Sequence, residues 1–244
     1  MYAVSTATSA APAALQGGPA RVPCIDSALA HPRVHIDMRR QQVGRAQLRR
    51  EDVTLIQAGR VVVLAQALGP ARLWGYLLDS ALDAFTDGYL KAGQGSVAAQ
   101  LHQGLRLANH CVRTRIDALI ERRGADVSLL AIGFDGPSLH LLGVGAFDTY
   151  LYRRKSLRRI GPSEPGQGMF KGSATSYAEH VEPGDVLFAG SRAVCDAQVL
   201  QRLSIALEHD RSLSPQAIVD TLGGAAAEQS LGAAAVALRI AATF

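Results

Sequence analysis

With 244 residues, 48% hydrophobic and 19% charged, the chain suits one domain with a sizeable core and is not a globally disordered polymer. A net charge of +4 and a pI near 9.2 are mildly basic, far short of a nucleic-acid arm. Cys24, Cys111 and Cys195 are sparse and form no CxxC pair, and no apolar run reaches the ~20 residues of a membrane span.

Residues 1–32 are rich in Ala, Ser, Pro and Gly without periodicity and read as a mobile tail. The start lacks a basic segment before an apolar core, so no secretory signal is expected. With the odd cysteine count, this points to a cytoplasmic protein. A single folded unit is expected over 33–244. Val34, Ile36 and Met38 alternate with polar neighbours as in a half-buried strand. Val53 to Ile56 and Arg60 to Ala65, on either side of an Ala58-Gly59 turn, read as further antiparallel strands. The run Val61 to Leu64 is continuously apolar and therefore central.

Gly69-Pro70 breaks this pattern and starts a helix with proline in its first turn. Leu73, Leu77, Leu78, Leu82 and Phe85 supply its apolar stripe, with Trp74 and Tyr76 as packing residues near it. Ser96 is placed to cap a second helix over 97–123, whose buried face is Val97, Leu101, Leu105, Ala108, Val112, Ile116 and Leu119. Strand signals follow at 127–134, 139–144 and 149–153, the first two joined by an Asp135-Gly136-Pro137 turn. Residues 161–177 have no periodicity and read as a long flap. A buried strand over 186–189, helices at 196–208 and 214–227, and a small-residue strand at 233–241 close the chain. Strands, two helices, strands, two helices, strand is an α+β order, not the alternation of a doubly wound sheet. Two antiparallel sheets packed face to face, each with a helix pair outside, account for it. Pattern alone does not fix the strand pairing.

Familiar chemistries are not signalled. His102 and His110 lie eight apart on the long helix and read as surface positions, not a metal pair. The Gly166-x-Gly168 run lacks the preceding strand and the Lys-Ser/Thr of a phosphate loop. Cys195 falls at a helix start but has no assigned histidine, which favours packing over nucleophilic work. Arg153, Arg154, Lys155, Arg158 and Arg159 form a basic cluster that reads either as a solvated hairpin turn or as a site for an acidic or phosphorylated protein segment. Aromatic content is only 5%, so no stacking series accompanies these charges and nucleic acid is not the expected partner.

Five segments carry a further signal. They are Gly44 to Asp52, Leu64 to Gly69, Gly145 to Arg153 (GAFDTYLYR), Gly184 to Asp196 (GDVLFAGSRAVCD) and Leu231 to Ile240 (LGAAAVALRI). In order and spacing they resemble the "GR-x-R-x-x-NED", "VADGMG", "GDSRAYLYR", "GD-x-LLL-x-SDG-x-xD" and "DNITVVVVRI" segments of the metal-dependent type 2C serine/threonine phosphatases. The resemblance implies an αββα sandwich with two manganese or magnesium ions held by carboxylates at one end. There a metal-bridging water attacks the phosphorus and an arginine holds the phosphate.

At the positions that would do this work the chain departs from that pattern. The "DG" signature falls on Gln66 and Ala67, the "GDSR" aspartate on Ala146, the "SDG" aspartate on Arg192, and the "DN" pair on Leu231 and Gly232. The phosphate-holding arginine falls on Gln47; only the acids Glu51 and Asp52 survive. Hard dications prefer anionic oxygen, and an arginine within a few Å repels them. The resemblance therefore implies a pseudophosphatase: no metal cofactor, no catalytic residue, and action by binding a protein such as a Ser/Thr kinase or phosphoprotein. The alternative is an active phosphatase with a rearranged or single manganese or magnesium site on Glu51 and Asp52. Arg192 is expected either to neutralise Glu51 and Asp52 in place of a metal or to lie on the surface.

Overall fold

A computed structural model of the chain describes residues 33–41, 50–56, 60–119, 123–161, 167–192, 194–228 and 233–241. The expected tail at 1–32, the Ala58-Gly59 turn and most of the Gly44 to Asp52 segment lie outside the described residues. Fourteen principal elements follow in order. The first half comprises β1 (Arg33–Gln41), β2 (Glu51–Ile56), β3 (Val61–Leu68), α1 (Trp74–Lys91), α2 (Val97–Asp117), β4 (Asp126–Asp135) and β5 (Ser138–Val144). The second comprises β6 (Phe147–Arg153), β7 (Ser156–Ile160), β8 (Thr175–His180), β9 (Val186–Ser191), α3 (Ala197–His209), α4 (Pro215–Glu228) and β10 (Ala233–Ala241).

The strands form two five-stranded antiparallel sheets, ordered β1-β10-β9-β6-β7 and β2-β3-β4-β5-β8. Their alternation builds the layers. On β3, Val62 and Leu64 face the other sheet and pack with Val53, Leu130, Leu187 and Val236. Val63 and Ala65 face outward onto Leu77, Phe85, Leu101 and Val112 of α1 and α2. On the far side Val186 and Phe188 pack under Val199, Leu203, Ile218 and Leu222 of α3 and α4. The architecture is an α+β, four-layer αββα sandwich.

Local chemistry explains the element starts. Ser96 accepts the Ala99 N–H at 3.3 Å, Asp196 the Val199 N–H at 2.9 Å and Ser214 the Ala217 N–H at 3.1 Å. The β4–β5 turn pairs Asp135 with Ser138 around Gly136, whose φ is +56°. Two strands escape a pattern reading, because β7 and β8 are sheet edges that keep polar residues in solvent. Part of the expected flap is thus strand: Thr175–His180 pairs with β5. The long helix stops at Asp117 because its apolar face is used up at Ile116, and Leu119 is only half-buried.

Candidate functional site

At one end of the sandwich β2 begins where β3 finishes, which sets Glu51 opposite Gln66 across the ladder. Both side chains face the space between the sheets and are buried, at 3% and 7% exposure. The Gln66 amide donates to Glu51 Oε1 at 2.6 Å, and the Ala234 N–H of β10 donates to Oε2, also at 2.6 Å. Glu51 therefore ties one sheet to the other. Burial pushes its carboxyl above the ordinary range. The Ala234 N–H, the Gln66 amide, the nearby Ser191 hydroxyl and the Arg50 charge oppose that push in decreasing order. Ser191 stands beside the carboxylate without a hydrogen bond of ordinary geometry.

The other surviving acid points elsewhere. Successive strand residues face opposite sides, so Asp52 turns toward α1. It caps the Val53 N–H at 2.7 Å and lines a groove of about 170 Å³ with Asp79, Asp83 and Thr86. Two neighbours in sequence are thus divided between two compartments. Ala67 packs into the helix-side core and donates its N–H to Arg50 O at 2.8 Å. Ala146 is half-buried in the β5–β6 turn, after Gly145 at φ +96°. Gln47, Leu231 and Gly232 lie outside the described residues.

Arg192 follows β9 on an exposed turn. Its charge bears on Tyr150, on the helix-packed side of that sheet, while Glu51 is met by Gln66 and Ala234 instead. Of the two expectations for Arg192, the surface position is the one observed, and Arg192 is not among the hydrogen-bond partners of Glu51. The amide at position 66 supplies what a cation was expected to supply, and no sequence pattern announces the second donor, a main-chain N–H.

The described half of the flap is fastened down beside this end. Phe170 N–H donates to buried Asp126 at 2.8 Å, Met169 N–H to Val127 O at 2.8 Å, and Arg113 holds the Phe170 carbonyl at 3.1 Å. Met169 is 1% exposed and belongs to the core. Cys195 is also buried, and desolvation, with Asp148, Glu51 and Asp196 nearby, pushes its thiol far above the range of a nucleophile. His102 and His110 are exposed on α2.

The basic cluster lies at the opposite end, on the β6–β7 hairpin. Arg153 grips Asp185 with two hydrogen bonds of 2.9 and 2.6 Å, and the His180 carbonyl at 2.6 Å. Arg154 meets Glu182 at 2.9 Å, Arg158 meets Glu179 at 2.7 Å and Arg159 meets Asp148 at 2.8 Å. Most of these charges are thus engaged within the molecule; Lys155 has no ion pair among the described residues. Arg154 and Lys155 form the hairpin tip with φ of 50° and 66°. That left-handed pair costs about 1–2 kcal/mol per residue that Asn-Gly would avoid.

The two-sheet order and the helix pairs match known structures. The serine/threonine phosphatase PstP/Ppp of Mycobacterium tuberculosis superposes with a TM-score of 0.67 at 16% identity, over 86% of this chain and 99% of that one. The catalytic domain of PstP in complex with two manganese ions gives 0.71 at 16% identity, with the same coverage of 86% and 99%. PppA of Pseudomonas aeruginosa gives 0.68 at 16% identity, over 85% and 97%. The chain has the fold of the type 2C phosphatases. No family model and no curated protein matches it by sequence.

Within a type 2C fold, the test of a metal centre is the donor set, and this one does not fit. Where the resemblance calls for aspartate, Gln66 turns its NH₂ inward and Ala146 offers no side-chain ligand atom. Glu51 has two donors already on it, and Asp52 faces another compartment. Among the described residues no group of three or more His, Cys, Asp or Glu side chains is arranged to hold a metal ion. Among them, too, no helix is long and apolar enough to cross a membrane.

Proposed function

We propose that this chain is a catalytically inactive, phosphatase-like protein that acts by binding a protein partner. The observation that carries the reading is the Glu51–Gln66–Ala234 constellation. In a phosphatase of this fold two dications draw acids together; here an amide and a main-chain N–H hold Glu51 between the sheets in place of an ion. The fold is kept while its reactive end is converted into internal structure, which leaves the outer surface as the working part. A Ser/Thr kinase or a phosphoprotein in a signalling or assembly system is the partner class proposed. The description of PppA as a key regulatory component of a type VI secretion system supports that class, since a protein of this fold serves a larger assembly there. A cytoplasmic location belongs to the same proposal.

The test is turnover of p-nitrophenyl phosphate and of a phosphothreonine peptide, with manganese titrated from zero to millimolar. The expected rate is that of buffer at every concentration. Manganese-dependent turnover that disappears in Asp52→Ala would overturn the proposal in favour of a rearranged metal site.

A further inference from the structure

At the end of the sandwich remote from Glu51, a cavity of about 300 Å³ opens between the β6–β7 hairpin tip, the turn at 182–185 and the end of α3. Its lining includes Tyr152, Lys155, Asp185, Leu207, Arg211 and Arg239. The acids at its rim are spent. Asp185 is gripped by Arg153 and also accepts the Glu182 N–H at 2.8 Å, while Glu182 pairs with Arg154.

The cations and donors are not spent. Arg239 reaches only neutral carbonyls: that of Arg211 at 2.7 Å and, through a shorter contact, that of Leu213. Its Nε is buried with no hydrogen-bond partner. Desolvation lowers its pKa, with Asp210 opposing that push from nearby. Tyr152, 5% exposed, also carries a buried hydroxyl without a partner; burial raises its pKa, the Glu208 charge adds to that push and Arg211 opposes it. Lys155 and Arg211 have no ion pair among the described residues. Buried donors are normally satisfied, and a desolvated guanidinium with no carboxylate hydrogen-bonded to it favours an anion. Two orphaned donors and three cations around one cavity describe the complement of a tetrahedral oxyanion.

We propose that this cavity is a binding site for a phosphate group, with Tyr152 and Arg239 donating from its floor and Lys155 and Arg211 closing over the charge. The cavity exceeds a bare phosphate ion, so it admits a phosphate monoester with part of the residue that carries it. The inference does not depend on whether the Glu51 end is inactive. Manganese-dependent turnover would overturn that reading and leave this one standing.

The experiment is calorimetric titration of the full-length chain at low salt with inorganic phosphate and, separately, with a phosphoserine peptide and its unphosphorylated twin. Saturable binding of phosphate or of the phosphopeptide, but not of the twin, is expected; the stronger of the two identifies the source. Tyr152→Phe should weaken it about tenfold while leaving thermal stability equal or higher, because it removes an unsatisfied buried hydroxyl. Lys155→Gln combined with Arg211→Gln, both at solvent-accessible positions, should weaken it at least as much without unfolding the chain. No binding by either ligand, or binding that neither variant weakens, would overturn the proposal.

Discussion

Each end of the sandwich has a charged side chain that bridges the two sheets, Glu51 at one and Arg153 at the other, and the two stitches are opposites. At one end Glu51 of β2 is held by an amide and by the Ala234 N–H of β10, all but closed to solvent. At the other, Arg153 of β6 is held by Asp185, by the His180 carbonyl of β8 and, at 3.8 Å, by Glu179 and Glu182. The acid has only neutral donors in contact; the cation has acids. A buried carboxyl with neutral partners keeps a desolvation cost, which favours its protonated, uncharged form. The Arg153 end stays open, and its surplus of cations lies toward a cavity. On the proposed function, an ion-binding end of this fold is closed by a hydrogen-bond donor in place of a carboxylate, without a replacement cation.

The largest expected effect comes from cutting the stitch that uses full charges. Arg153→Ala leaves Asp185, whose side chain is 3% exposed, without its two guanidinium hydrogen bonds. Removing one partner of a largely buried pair typically costs 3–5 kcal/mol, and the partial exposure of Arg153, at 19%, places the expectation near ~3 kcal/mol. Urea denaturation measures it. A loss below about 1 kcal/mol would mean the pair behaves as a surface ion pair and the two ends differ less than their geometry suggests.

The opposite stitch was only half legible in the residue pattern, and so was its counterpart. The buried strands and all four helices declare themselves through period, caps and glycine breaks, because burial on one face is written in every second or every third-to-fourth residue. The edges β7 and β8 carry no such signature, since solvent takes one side of each and partial pairing the rest. Glu51 and Gln66 could be set at one end from the resemblance, but the Ala234 donor could not, since any residue there would offer the same N–H. The Arg153–Asp185 pair joins positions 32 apart in sequence, and nothing local marks either as the other's partner.

A middle-sized effect, with a definite pH dependence, tests the neutral stitch. Gln66→Leu removes the amide that favours the charged form of Glu51, at an expected cost of ~2 kcal/mol at neutral pH. Burial already raises this carboxyl above its ordinary 4.5, and the variant raises it further. For a group with a raised folded pKa, the folded state holds the proton more tightly than the unfolded one. That contribution is present in full below 4.5 and is lost as pH climbs through the folded value. The variant should therefore approach wild-type stability near pH 4 and fall behind as pH rises toward 7. Denaturation at half-unit steps of pH gives the slope; a gap that widened toward acid would show instead that the Gln66 amide favours the protonated form of Glu51.

The smallest effect belongs to the residue whose position first suggested a lost metal ligand. Arg192 is exposed, and the groups that hold Glu51 do not include it, so Arg192→Ala should change stability by less than about 0.5 kcal/mol. The charge-restoring change is the sharper probe. Arg192→Asp returns the residue type that the phosphatase pattern calls for, yet Gln66 still aims a donor inward and Ala146 still offers no oxygen. A dication gains one carboxylate where it needs several. Millimolar manganese should therefore leave the melting temperature of Arg192→Asp where it leaves that of the wild type. A shift of several degrees in the variant alone would mean that Arg192, and not the Glu51–Gln66 pair, is what keeps this end of the fold free of metal, and that the closure is a single substitution deep.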